Sequence, residues 1–262
     1  MGKIIYSLSE AVDGASINGQ FNESCKLILS DLAKDALKSG RLKIIVERHG
    51  GVAKLENVII EIGAKSGMIS ISIAEFNTKI SIGDNCFGKF FISIWGASTV
   101  NIDPNTSSNG CRVICDNGDV HIGEDCMIAD HVIFQCGDQH GIVNVESGDI
   151  VNADRASVKV GEHVWLARQT TLLNSSNVLS GSVVGLGSVV SRGTFEKNSI
   201  LLGIPAKVVR NGFTWSRSTQ SLDNYSAKII EESRLQQEES RLKQEELEKD
   251  NYLKAFFKKL FS

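Results

Sequence analysis

From Val160 onward the apolar residues recur at every sixth position, and that period limits what the chain can fold into more than any other property of it. Read in hexads the stretch runs VGEHVW, LARQTT, LLNSSN, VLSGSV, VGLGSV and VSRGTF, with Val160, Leu166, Leu172, Val178, Val184 and Val190 in first place. Neither a helix, with 3.6 residues per turn, nor a simple strand, with two, produces this spacing. Second place is small at Gly161, Ala167, Gly185 and Ser191, and fifth place is Val, Thr or Ser throughout. Each unit therefore turns one aliphatic and one small or β-branched residue inward. The repeat predicts an all-β fold, a parallel β-helix in which no coil buries its apolar face alone and stacking makes the core. Three hexads make one triangular turn, and turns lie about 4.8 Å apart. Residues eighteen apart in sequence become neighbours, which places Ala167, Gly185 and Gly203 in one column and Arg168, Leu186 and Ile204 in the next. Nearly bare backbone lets a long thin ligand approach main-chain N–H and C=O groups. At Gly161 the simpler reading, an eased corner, is preferred.

A chain of 262 residues with 42% hydrophobic but only 6% aromatic content holds one sizeable core, or a core and a smaller module. Small aliphatics suit a narrow coil interior. A net charge of -3 offers no nucleic-acid surface. The N-terminus has no basic, apolar leader and no apolar run approaches twenty residues, so the expected location is the cytoplasm. The six cysteines then read as reduced thiols. Cys86 and Cys126 hold the inward fifth place of IGDNCF and IGEDCM, as core fillers. Cys111 and Cys115 lack a second pair at zinc spacing, and no metal is expected.

In chain order, Leu27, Ile28, Leu32 and Leu37, ended by Gly40, predict an amphipathic helix over 22–38 that caps one end. The segments KIIVERH (43–49), NVIIEIG (57–63) and ISISIAEF (69–76) alternate like strands and read as imperfect early coils. Ile62-Gly63 and Ile82-Gly83 stand twenty residues apart, two more than a clean turn, which implies small insertions. Phe87, Phe90, Phe91 and Trp95 crowd the next segment, where core or subunit packing is favoured over a substrate platform. The expected organisation is an N-terminal cap with early coils (1–79), a β-helix (80–212) and a C-terminal extension (213–262).

The hexad register breaks from 135 to about 157, where a glycine-bearing polar loop leaves the coil and carries Asp138-Gln139-His140. Rigid scaffolds commonly hold reactive groups on such loops. A solvent-facing histidine without a role is the alternative. His49, His121, His131 and His163 read as structural or surface residues, with His131 near a possible acceptor. Their spacing does not match the zinc site of γ-class carbonic anhydrases.

The motifs GEHVWLA (161–167), VVGLGSVV (183–190) and GIPAKVVR (203–210) resemble those of the hexapeptide-repeat acyltransferases, whose β-helix is left-handed. The resemblance covers residues 80–212 and is nearest to sugar and polysaccharide O-acetyltransferases, including those that modify sialic-acid-containing capsules. It implies an acetyl-CoA-dependent transfer to a sugar hydroxyl of a capsular or other surface polysaccharide, by direct attack. It also implies a homotrimer with sites between neighbouring subunits. Attack by an alcohol needs a base that titrates near neutral pH, as imidazole does. In this pattern His140 is the general base, with Asp138 a candidate to orient it, and Trp165 packs beside the reacting centre. Ala167 and the main chain at Gly185 and Leu186 match the strip that pairs with the pantetheine amides of coenzyme A. Lys207 and Arg210 match basic positions near its phosphates. Ala167 and Ile204 depart from the family's commoner Gly and Asn. Amino-sugar N-acetylation, serine acetylation and a non-catalytic β-helix scaffold remain as alternatives.

After a polar connector (217–230), EESRLQQ and EESRLKQ form a heptad repeat with Leu235 and Leu242 as its only apolar stripe, too little for a stable coiled coil. Glu231 with Arg234, Arg234 with Glu238, and Glu245 with Lys249 are expected to pair along a solvated helix. The closing LKAFFKKLFS reads as a basic amphipathic helix, set to pack on protein or to touch an anionic membrane through residues 252–262.

Overall fold

The computed structural model describes residues 2–50 and 54–260, with side chains to 249. It divides into two compact units, Met1–Trp215 and Ser216–Ser262.

The first unit is a parallel β-helix. One sheet stacks Val58–Ile62, Thr78–Ile82, Thr99–Ile102, Gly118–Ile122, Ala156–Val160 and Ser176–Val178 in order. The other begins with Ala15–Asn18 and Leu42–Arg48, and continues through the bent strands Ser66–Ile73, Phe87–Ile94, Ser107–Cys115 and Met127–Cys136. Register follows the sequence ruler. Ile62, Ile82, Ile102 and Ile122 are successive Cα partners at twenty-residue steps, whereas Val160 meets Val178 eighteen residues on. All six are 1% exposed or less, and Val178 is wholly buried like the Leu166 and Val184 stacked on the neighbouring face. Each such aliphatic contributes roughly 1.5–3 kcal/mol by leaving water.

Each coil turns three corners, and at most of them a residue adopts positive φ. Asn85, Asn105, Asp125 and His163 do so at one corner, Asn57, Asn77, Asn117 and Ser175 at another. Asn and Asp tolerate that conformation best because their short polar side chains bond locally. Here they also ladder between coils, as in the 3.0 Å bond from Asn57 Nδ2 to Asn77 Oδ1. Where backbone crosses backbone only glycine fits: a Cβ on Gly88 would lie 1.9 Å from the Ser108 carbonyl oxygen, and one on Gly161 2.5 Å from Ser180 N.

Three expectations change. The predicted helix over 22–38 is shorter: Lys26–Ser30 is a strand, and α1 spans Asp31–Lys38. Leu27 and Leu29 point into the core in strand alternation and pair with Ile60 and Ile62, so period two overrides the helical spacing there. Ser30 caps α1 by accepting from Ala33 N at 3.2 Å. Secondly, the last coil is one residue short, since Val184 pairs with Leu201, not residue 202. The column through Ala167 and Gly185 therefore continues at Leu202, and Gly203 and Ile204 move one place on. Thirdly, in the second unit the polar connector ends early: α2 spans Asn224–Leu260, and Asp223 caps it by accepting from Ser226 N at 2.8 Å. Arg234 pairs with Glu231 (3.8 Å), while Glu245 turns back to Arg241 (3.6 Å) and not to Lys249. The apolar and basic faces expected at 252–262 involve side chains outside the described residues.

Candidate active site

Six of the candidate residues share one wall. Trp165 and Ala167 lie at and just after Trp165–Leu166, whose strand pairs with Val183–Val184. Gly185 and Leu186 follow that strand. Beyond it comes Ser199–Gly203, and then the antiparallel Ala206–Asn211, which brings Lys207 opposite Leu202 and Arg210 opposite Ile200. Main-chain bonds from Ala167 N to Val184 O and from Gly185 N to Leu201 O, both 2.9 Å, knit the strip together. Leu186 is 68% exposed, and Lys207 and Arg210 face solvent, with the Arg210 guanidinium over the Phe213 ring. The backbone at Gly185 is not bare: a Cβ there would lie 1.9 Å from Leu202 Cδ2, so the leucine side chain occupies that space.

His140 stands elsewhere. The loop leaves the next corner after Cys136 and returns at Ala156, folding back through an antiparallel bridge between Val143 and Ile150. Its root is clamped by Arg155, whose guanidinium donates to Asp119 at 2.7 and 2.8 Å and to the Ala97 carbonyl at 3.0 Å. That partner holds the Asp119 carboxyl below its ordinary 3.8. Asn152 Nδ2 donates to Asp138 Oδ2 and to the His140 carbonyl, both 2.9 Å, fixing the D-x-H segment. Asp138 thus braces the loop through Asn152. His140 is exposed and lines a hollow of about 260 Å³ together with Asp116, Asn117, Gly137 and Asn152. A whole face of the coil separates it from the Ala167–Gly185 strip of its own chain.

Sequence reasoning missed a groove of about 580 Å³ at the corner that precedes the strip, lined by Lys89, Phe91, Asn109, Gly110, Arg112, Asp130 and His131. The cause is register. Gly88, Ser108 and Ile128 stack on one side of this corner and Phe90, Cys111 and Val132 on the other. Each coil thus inserts one more residue at the corner than the coil before, and the wall opens. The constant twenty-residue step from Ile62 to Ile122 gave no sign of this in the sequence. Lys89 and Arg112 are exposed and have no ion-pair partner among the described residues. Asp130 joins the groove to the strip by accepting from Arg168 Nε at 2.6 Å. His131 belongs to this groove, and His121 bonds Asp103 Oδ2 through Nε2 at 2.8 Å.

Trp215, also unforeseen, packs the first corner. Its ring stacks on His163 at 4.3 Å and leans on Trp165 at 6.3 Å. The six cysteines are buried thiols outside any disulfide, and burial pushes Cys86 up to about 12 and Cys111 to about 11, too high for those two to be nucleophiles at neutral pH. Phe90 is fully buried, whereas Phe87 (38%) and Trp95 (39%) stay partly exposed. Among the described residues no three His, Cys, Asp or Glu side chains gather as a metal site.

The coil, its hexapeptide register and the antiparallel closing strand make a parallel β-helix that matches the left-handed fold of solved acetyltransferases. No family model matches the chain. Among curated proteins it is 32% identical over 127 residues to a polysialic acid O-acetyltransferase of Neisseria meningitidis, covering 48% of this chain and 59% of that one. It is 28% identical to WbbJ of Escherichia coli K12, a putative lipopolysaccharide biosynthesis O-acetyl transferase, covering 45% and 64%. The chain thus spans about three fifths of the length of these relatives. Among solved structures it resembles the polySia-specific acetyltransferase NeuO, with TM-score 0.59, 26% identity and coverage of 73% and 83%. The polysialic acid O-acetyltransferase OatWY shares the fold, with TM-score 0.53, 24% identity and coverage of 71% and 98%. These likenesses make the chain similar to hexapeptide-repeat acetyltransferases with a left-handed β-helix.

Proposed function

We propose that this protein transfers acetyl from acetyl-CoA to a hydroxyl of a capsular or other surface polysaccharide, in a homotrimer whose sites lie between neighbouring chains. The observation that carries this reading is the continuity of two features on one wall. The strip at Ala167, Gly185, Leu186 and Lys207 suits an extended thioester carrier, and the open groove at Lys89, Arg112 and His131 adjoins it through the Asp130–Arg168 pair. Exposed cations in that groove favour an acceptor bearing carboxylates, such as a sialic-acid polymer.

In this reading His140 of one chain meets the strip and groove of the next. The hairpin that carries it presents Val145 at 95% exposure and Ile142, Val143, Ile150 and Val151 at over half, which suits a segment covered by a partner. The imidazole accepts the hydroxyl proton as the sugar oxygen attacks the thioester carbonyl. Collapse of the tetrahedral intermediate breaks the C–S bond, and the same proton passes to the leaving thiolate. A main-chain N–H of the strip holds the oxyanion. Trp165 walls the reacting centre, and Lys207 and Arg210 face the nucleotide phosphates. A cytoplasmic location follows from the need for acetyl-CoA and reduced thiols.

Thiol release from acetyl-CoA, assayed against polysialic acid, lipopolysaccharide-derived polysaccharide and their free monosaccharides, tests the reading. Sugar-dependent release with ester formation is expected. No release with any carbohydrate, or failure to bind coenzyme A by calorimetry, would overturn it in favour of a non-catalytic scaffold.

A further inference from the structure

Along the corner from which the loop departs, successive coils present Ala74, Trp95, Asp116 and Gly137. They are bonded coil to coil from Ala74 N to Ile94 O (2.9 Å), Trp95 N to Cys115 O (2.9 Å) and Asp116 N to Cys136 O (2.8 Å). His49 heads the column, its N bonded to Ile73 O at 2.8 Å. The small side chain of Ala74 leaves room for the His49 ring to meet Trp95 edge-on, with centroids 4.7 Å apart and planes at 84°. This contact fixes the indole while 39% of the tryptophan stays exposed. Phe76, on the same corner, is 38% exposed. One coil away, about 4.8 Å, Asp116 and Asn117 enter the hollow that holds His140. Partial burial raises the Asp116 carboxyl above its ordinary 3.8, and its oxygens can accept hydrogen bonds from hydroxyls.

A braced aromatic plate beside carboxyl and amide groups is what a pyranose ring needs: its C–H face is apolar and its hydroxyls require partners. We infer that Trp95, held by His49, is a secondary sugar subsite, which takes the ring next to the reacting unit of a polymeric acceptor. It rests on the O-acetyltransferase reading and adds a direction, with the polymer running along the coil axis from His140 toward the N-terminal coils.

The experiment compares wild type, Trp95→Ala and Trp95→Phe on the polysaccharide that wild type acetylates best and on its monosaccharide. Trp95→Ala is expected to raise KM for the polymer about tenfold, with kcat and the monosaccharide KM within about twofold. Phenylalanine should restore most of the loss, and light scattering should give all three the same mass. An unchanged polymer KM, an equal loss on the monosaccharide, or an altered mass that marks Trp95 as a subunit contact would overturn the subsite and leave the acetyltransferase reading standing. Transfer by wild type to monosaccharides alone would do the same. Absence of any transfer by wild type would remove both.

Discussion

His163 Nδ1 lies 2.7 Å from Asp125 Oδ2 across two stacked coils, with the side chains only 1% and 6% exposed. The other ring nitrogen lies 2.9 Å from the Trp215 carbonyl oxygen, and the indole N–H of Trp215 donates to the His163 carbonyl at 2.8 Å. A carbonyl only accepts, so Nε2 carries the hydrogen of that bond. The arrangement locks the closing segment against the strand that bears Trp165. Removing one partner strands a buried polar group, so Asp125→Ala should cost about 3 kcal/mol, read from urea unfolding with an unchanged m value.

Gly88 sits at φ +106 with no space for a side chain, and Gly67 stacks on it in the same way. Gly88→Ala forces two coils apart at the mouth of the groove. The loss should be about 2 kcal/mol or more, from the strained φ and the steric overlap together. Thermal unfolding measures it, and Gly187→Ala, where no atom lies within 4 Å of the added carbon, is the control for the conformational term alone.

His140→Ala should keep the fold, because the residue is exposed and only its carbonyl is bonded. Transfer should fall by about 10²–10⁴-fold, the usual worth of a positioned general base. Circular dichroism and a thiol-release assay on the same preparation separate the two effects. Near-normal turnover would remove His140 from the mechanism.

The Asp119–Arg155 clamp makes the loop root sensitive to acid. Arg155 depresses the Asp119 carboxyl in the folded chain, so the stabilisation is complete above the ordinary value of 3.8 and is lost as pH falls through the lower folded value. Both side chains are nearly half exposed, so the effect on global stability is small. Hydrogen exchange at 137–155 should quicken below about pH 4 in wild type. In Asp119→Asn it should be fast already at neutral pH.

Much of this protein was legible in the chain itself. Side-chain periodicity is local information: inward aliphatics at Val160, Leu166 and Leu172 fix the hexapeptide coil wherever they occur, since only stacking hides them from water. The break in that period marked the loop with His140, and the motifs around Trp165 and Lys207 pointed to one wall. What the sequence left open depended on register between coils, a relation between residues twenty or more apart. The missing residue before Leu201 moved the Gly203 column, and the extra residues at Gly110 and Asp130–His131 opened the groove. Strand pairing with Ile60 and Ile62 claimed Leu27 and Leu29 from the expected helix. Only the tertiary structure put Trp215 against His163 and set His49 on Trp95. Such contacts arise from how coils stack, and no one-dimensional pattern encodes how far each corner bulges.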